Sequence, residues 1–413
     1  MTRIWIVKGV LVTFFFAMII VGGTQLYRHR HFDVPVVAGP GVTKISLLSE
    51  YCPGLKGTTA DTAVFFLEGK EQGGRVLLMA NTHANEPEGF LAALIIIENA
   101  VVEKGTLIVI PEFNHSASRN TRPGDGYPLY YEIKTNWGKK KFRMGNRDAS
   151  PLDQWPDPDV YIHFPDRQLL SYIDARNTNR TWPGRPNGPL MERVTFAALE
   201  LMRREKVDLA VDFHGAETMF PVTNCIVAPE KSSKIATLTS LNVKAKEGFD
   251  NHVEPSPKNF RGLSHREIGD FSDTLPFLLE APIPFLDQPT GPKTVKLLLD
   301  GLHRIERLAV VRPVHRGNIS RHPPEHLLGG LNHPAIPLLQ VTLLKHGYGV
   351  SGQFHDVITA LLKQPRFSYS WRFPGRFRVS LAASAHPGSP SWPPPPCAGS
   401  RPWPWSQRAS AGG

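Results

Sequence analysis

Six short apolar runs between residues 63 and 279, set apart by stretches of helical periodicity, constrain this chain more than any other feature. Ala63–Leu67 (AVFFL), Val76–Ala80 (VLLMA), Thr106–Ile110 (TLIVI), Val207–Phe213 (VDLAVDF), Asn224–Ala228 (NCIVA) and Leu275–Leu279 (LPFLL) read as strands. None alternates strictly between apolar and polar residues, so their burial is expected on both faces. Gly89–Val101, Pro189–Glu205, Ser232–Lys246 and Pro292–Val311 read as helices. In the last, Val295, Leu298, Leu299, Leu302, Ile305 and Leu308 recur at spacings of three and four, which makes one apolar face. Strands interleaved with helices predict an α/β domain over residues 33–312.

The flanks are different. The 413 residues carry 47 Lys and Arg against 37 Asp and Glu, a formal charge of +10 that invites a nucleic-acid reading. Residues 1–32 hold four basic residues and no acid, and residues 313–413 hold ten basic and two acidic residues, so the middle keeps 33 basic against 35 acidic, a net of −2. A near-neutral domain is no nucleic-acid binder, and none is expected as a partner.

Within residues 1–32, the run GVLVTFFFAMIIVGG at 9–23 follows Arg3 and Lys8, the positive-then-apolar order of an export signal. Counted from Ile4 it approaches the roughly 20 residues that cross a bilayer as a helix. It reads as a signal peptide or as an uncleaved membrane anchor, and either places the domain outside the cytoplasm, periplasmic or secreted. Arg28 and Arg30 count against that orientation, since basic residues favour the cytoplasmic side. Residues 313–413 hold 15 of the 38 prolines. Proline at that density withholds backbone donors, so a mostly irregular tail is expected there.

Residues 114–172, rich in Asn, Gly, Pro and aromatic side chains, fit neither pattern and read as a long functional loop. Cys52, Cys225 and Cys397 form no C-x-x-C pair and no thiolate zinc site; Cys52 and Cys225 are either a disulfide or two free thiols.

Polar residues with chemistry stand directly after three of the strands. In N-T-H-A-N-E-P-E-G, His83 and Glu86 are three apart, so on a turn entering a helix both side chains can address one metal ion. The same spacing also fits a solvated histidine and a helix-start glutamate. In V-D-F-H-G, His214 closes a buried strand where open α/β sheets bind ligands, although a satisfied core histidine would read the same. Together, two His and one Glu make a three-ligand zinc set with a fourth position left for water. Glu280, in L-L-E-A-P, is costly to bury unless it is paired or used, and beside such a water it can shuttle a proton. Asn179 and Arg180, in N-R-T-W-P-G, suit a substrate carboxylate; Arg119, with Arg122 as substitute, suits a developing oxyanion.

The order H-A-N-E-P-E-G, N-R-T-W-P-G, D-F-H-G, L-L-E-A-P resembles the zinc carboxypeptidase-like superfamily over residues 60–312, most closely the succinylglutamate desuccinylase/aspartoacylase branch. The resemblance implies a mixed, mostly parallel twisted sheet with helices on both faces, of zinc exopeptidase type. It implies one Zn2+ per chain on His83, Glu86 and His214, Glu280 as general base and then acid, Asn179 and Arg180 on the substrate, and Arg119 at the oxyanion. Ala84 stands where the family has glycine, and no tyrosine lies between Asn224 and Glu280 to match the mobile one of digestive carboxypeptidases.

The expected function is zinc-dependent hydrolysis of an amide bond in a small acylated amino acid or peptide. Two other readings are a zinc carboxypeptidase acting on cell-wall peptides and a non-catalytic, membrane-tethered zinc-fold protein that binds carboxylate ligands. The membrane is a partner if the N-terminal segment stays uncleaved. No H-E-x-x-H, G-x-S-x-G or P-loop is present to support another hydrolase template.

Overall fold

The computed structural model describes residues 2–121, 128–135, 138–218, 220–247, 251–286, 293–300, 371–373 and 377–379. Its N-terminal helix, α1 (Thr2–Arg30), is followed by β1 (Lys44–Leu47), β2 (Ala63–Glu68), β3 (Glu71–Met79), α2 (Pro87–Asn99), β4 (Val101–Val102), β5 (Lys104–Ile110) and the short α3 (His115–Ser118). Next come β6 (Tyr130–Thr135), β7 (Gly138–Arg143), β8 (Tyr161–Ile162), β9 (Leu169–Leu170), α4 (Leu190–Arg204), β10 (Leu209–Ala216) and β11 (Cys225–Ala228). Then follow α5 (Ser233–Glu247), β12 (His252–Pro255), α6 (Ser264–Phe271), β13 (Leu275–Pro282) and α7 (Val295–Asp300).

Eight strands form one sheet in the order β1-β2-β5-β3-β10-β13-β11-β12. The central β5-β3-β10-β13 block is parallel, as is β11-β12, while β1-β2, β2-β5 and β11-β13 run antiparallel. Four of the seven pairings are therefore parallel, the mixed sheet expected from the sequence. The weak alternation of the apolar runs has a direct cause: successive side chains feed two cores. Val76, Leu78, Leu107, Val109, Val211 and Phe213 pack on the face covered by α2 and α5. Leu77, Met79, Ile108, Ile110 and Ala210 pack on the opposite face, beneath Met191, Val194, Ala198 and Met202 of α4 and Ile268 of α6. Each such fully buried side chain contributes about 1.5–3 kcal/mol relative to exposure.

The stretch expected as a long loop is partly ordered. β6 and β7 pair as an antiparallel hairpin from Tyr130↔Arg143 to Thr135↔Gly138, and Tyr131, Ile133 and Phe142 bury against Phe90, Leu91 and Leu94 of α2. Its lysines hide this from a sequence reading: Lys141, on the outer side, lies 3.7 Å over the Tyr130 ring, while Lys140, on the inner side, bonds Glu98 at 2.6 Å. Cys52 and Cys225 are both buried free thiols. Of the helix expected over 292–311, residues 295–300 are helical and 293–294 are not; residues 292 and 301–311, Arg122, Cys397 and all but six residues of the 313–413 tail lie outside the described residues. Those six form two short strands, Trp371–Phe373 and Phe377–Val379.

Candidate metal centre

The chain leaves β3 through Asn81, whose φ of 55° turns the backbone sharply, a conformation asparagine tolerates better than most residues. His83 and Glu86 then sit at the two ends of one turn, closed by Glu86 N–H to His83 C=O at 3.1 Å. Glu86 is the N-cap of α2 and Pro87 its first residue, where a missing N–H costs nothing. Both side chains consequently face each other, with His83 Nδ1 2.7 Å from Glu86 Oε1.

β10 supplies the third donor. Its eight residues are all buried, and Asp212 and His214, two apart, share the face covered by α4 and α6. His214 Nδ1 stands 3.2 Å from Glu86 Oε2, and Gly215 N–H donates to the same oxygen at 3.0 Å. The two imidazoles meet edge to face, their centroids 4.7 Å apart. Donors around a tetrahedral ion at ~2.0–2.1 Å stand about 3.4 Å from one another, so the spacing of these three side chains fits a single zinc ion.

The outward nitrogens are occupied too. His83 Nε2 lies 3.1 Å from Asn177 Oδ1, and His214 Nε2 lies 3.0 Å from Asp212 Oδ2 as an ion-pair contact outside hydrogen-bond alignment. Asp212 Oδ1 in turn accepts from Thr82 Oγ1 at 2.6 Å. Outer partners of this kind fix which ring nitrogen faces the metal. Here they turn both Nδ1 atoms inward. Burial holds the His83 imidazole down, to about 4, with Arg147 adding to the effect. His214 also pays for burial, but Asp212 and Glu86 outweigh it and hold its imidazole well above the usual value. Glu86, although buried, is held well below the carboxylate range by the two histidines.

Glu280 stands in register with His214 on the neighbouring parallel strand, roughly 4.8 Å away across the ladder. Its Oε2 is buried without a hydrogen-bond partner, and burial pushes the carboxyl up to about 8 against the pull of His214.

The arginines are arranged differently from the sequence expectation. Arg119 donates from Nη2 to Asp33 Oδ1 at 2.6 Å, and no described contact brings it to the cluster. Arg147 is there instead, its Nη1 3.6 Å from Glu86 Oε1. The backbone explains its position: Ala84 N–H donates to Asn146 C=O at 3.0 Å and Gly145 N–H to Ala84 C=O at 3.1 Å. Only glycine allows that approach, since a Cβ on Gly145 would stand 2.5 Å from Ala84 Cβ. Asn179 is buried, and its Oδ1 accepts from Ser264 N–H at 2.9 Å, which fixes the segment against α6. Arg180 stacks on Phe260 at 4.7 Å, and burial together with Arg147 lowers its guanidinium to about 10. Arg180 also pairs with Asp174, its Nε 3.7 Å from Oδ1.

Asp212, Asn177 and Arg147 were not singled out in the sequence. Asp212 was within reach, because D-x-H on a strand puts both side chains on one face. Among the described residues a second group, His163, Asp166 and Glu267, also has metal-ligand spacing. There Arg261 already bonds Asp166 and Glu267, so that cluster carries its own cation.

No family model and no curated protein matches this chain. Solved structures similar to it include the ectoine utilization protein EutE from Ruegeria pomeroyi, with a bound product, at 20% identity and a TM-score of 0.34 over 53% of this chain and 52% of that one. A succinylglutamate desuccinylase from Silicibacter sp. matches at 17% identity and 0.33 over 53% of each chain. A metallo-carboxypeptidase from Burkholderia cenocepacia matches at 12% identity and 0.37 over 59% of this chain and 56% of that one. Each match spans little more than half of either protein.

Proposed function

We propose that this chain is a zinc-dependent amide hydrolase acting on an N-acyl amino acid or a small peptide with a free carboxylate. The observation that carries the reading is the convergence of His83 Nδ1, His214 Nδ1 and both Glu86 oxygens, with the unpartnered Glu280 carboxyl in register beside them. His83, Glu86 and His214 would hold the zinc ion, which would supply a water of near-neutral pKa and polarise the substrate carbonyl.

Glu280 takes a proton from the attacking water as the new C–O bond forms, then gives it to the amide nitrogen as the C–N bond breaks. The second proton of the water passes from the nascent carboxyl to the departing amine, so the products are a carboxylate and an ammonium, and Glu280 returns ionised. Arg147, at the rim of the cluster, stabilises the oxyanion, the role the sequence suggested for Arg119. Arg180, stacked in place by Phe260, takes the substrate carboxylate, and an anion between it and Arg147 relieves the repulsion of the two guanidinium groups. Asn179 positions that segment through its bond to Ser264.

The test is zinc content together with hydrolysis of a panel of N-acyl amino acids and of peptides with free carboxyl ends, with added zinc and with chelator. The reading expects one panel to be turned over only in the presence of metal, and His83→Ala to lose bound zinc. Undiminished zinc in that variant, or undiminished turnover in Glu280→Gln, overturns it.

A further inference from the structure

The helix α1 is long and apolar enough to cross a membrane, and its apolar stretch is not buried against the rest of the chain. Its last turn, by contrast, is built into the domain. His29 is fully buried, its Nε2 2.7 Å from Met144 C=O. Arg30 donates to Asp153 Oδ1 at 2.6 Å, and Asp153 Oδ2 accepts from Ser116 Oγ at 2.6 Å. Arg143 donates to the carbonyl of Phe32, whose ring meets Tyr130 edge-on at 5.4 Å. Removing the segment through residue 32 would strip partners from Met144, Asp153, Arg143 and Tyr130 at once. Arg30, which counted against an outside domain, is neutralised within the fold.

Helical rise then sets the height of the domain. Ile4 to Gly23 spans about 30 Å, the thickness of the hydrocarbon core. His29 lies six residues further, about 9 Å, at the level of the lipid headgroups. The domain therefore begins where the bilayer ends.

The loop that holds Arg30 has a matching character. Leu152 and Trp155, on either side of Asp153 and Gln154, are 78% and 76% exposed. They are not loose, because Gln154 between them donates to Ala175 C=O at 2.8 Å and accepts from Met191 N–H at 3.0 Å. A rigid loop that presents Leu and Trp beside the end of an apolar helix has the composition of a membrane-interface anchor. The same segments run to the metal centre. Met144 is three residues from Arg147, at most about 10 Å of chain, and Ala149 N–H donates to the carbonyl of Arg176, next to Asn177.

We propose that α1 is retained as an anchor, that Leu152 and Trp155 seat in the headgroup layer beside it, and that the site draws its substrate from the bilayer. That substrate is an N-acyl amino acid whose long acyl chain stays in lipid while its amide and carboxylate reach Glu280, Arg147 and Arg180. The proposal rests on the hydrolase reading above. Hydrolysis leaves the fatty carboxylate in the membrane and releases the free amino acid to water.

The experiment places the full chain in phosphatidylcholine–phosphatidylglycerol vesicles with zinc and compares an N-palmitoyl with an N-acetyl amino acid. The expected result is preference for the palmitoyl substrate, cut roughly tenfold or more in Leu152→Asp/Trp155→Asp with the acetyl rate unchanged. In a Trp5→Phe background, which removes the tryptophan of α1, brominated lipid is expected to quench a tryptophan signal that is lost in Trp155→Phe, and mass spectrometry to find residues 1–30 intact. Hydrolysis of the acetyl substrate without chain preference, or equal losses on both substrates, overturns the bilayer proposal alone. No hydrolysis of either while a peptide with a free carboxyl end is turned over overturns the bilayer proposal alone; no hydrolysis of any of the three overturns it together with the hydrolase reading. Absence of quenching or cleavage of the helix overturns the seating.

Discussion

His83 Nε2 lies 3.1 Å from Asn177 Oδ1, a contact between residues 94 apart in sequence that decides which nitrogen of the ring faces Glu86. The amide oxygen also accepts from Asn179 N–H at 2.8 Å, so it is held in place by its own segment. Its removal frees the ring to rotate. We expect Asn177→Ala to weaken zinc binding about 10–100-fold, the usual cost of losing such a support. Chelator competition checks it, and Asn177→Asp, which keeps an acceptor, should recover most of the affinity.

In the proposed function Glu280 serves turnover and not metal binding. It is no member of the three-donor cluster, yet it stands in register with His214 on the next strand. Glu280→Gln keeps the shape and removes the base. We expect kcat to fall by about 10²–10⁴ with zinc content unchanged, measured on one preparation by turnover and by metal analysis.

What the sequence revealed of this site follows from how each residue is delivered. His83 follows β3, and His214 and Glu280 lie near the ends of β10 and β13, so the end of each apolar run marked them. Asn177 and Arg147 arrive from segments without periodicity, and the bonds that place them, Asn177 to His83 and Asn146 to Ala84, join distant parts of the chain. No local pattern records such pairings. Arg119, the arginine the sequence suggested, is held by Asp33, whereas Arg147, which no motif marked, is delivered by the close approach at Gly145. Edge strands β1 and β12, four residues each, and α6, whose sequence S-H-R-E-I-G-D-F is mostly polar, were too short or too hydrophilic to stand out.

Arg180 depends on a glycine eighty-two residues away. Gly262 has φ of +82°, and a Cβ there would stand 2.1 Å from the carbonyl oxygen of Arg180. Gly262→Ala must therefore move the Arg180 backbone as well as strain its own. We expect KM for carboxylate-bearing substrates to rise with zinc content intact, and stability to drop by about 1–3 kcal/mol. Steady-state kinetics beside a denaturation curve separates the two effects.

Glu267 makes the stability of the domain depend on pH. Its side chain is buried, accepting from Gly262 N–H at 2.9 Å and from Arg261 Nη2 at 2.8 Å. Burial pushes the carboxyl up to about 7, and the bonds from Gly262 and Arg261 offset only part of that. The folded chain thus holds this proton where the unfolded chain has released it. As pH rises from about 4.5 to about 7 the unfolded state ionises first, so this group's contribution to stability declines, then levels off above about 7. The full span is on the order of 3 kcal/mol. In Glu267→Gln, which keeps an acceptor for Gly262 and cannot titrate, that component disappears. Thermal midpoints taken from pH 4.5 to 8 should fall more steeply for the wild type than for the variant; parallel curves would show that Glu267 is ionised throughout and that Arg261 wins over burial.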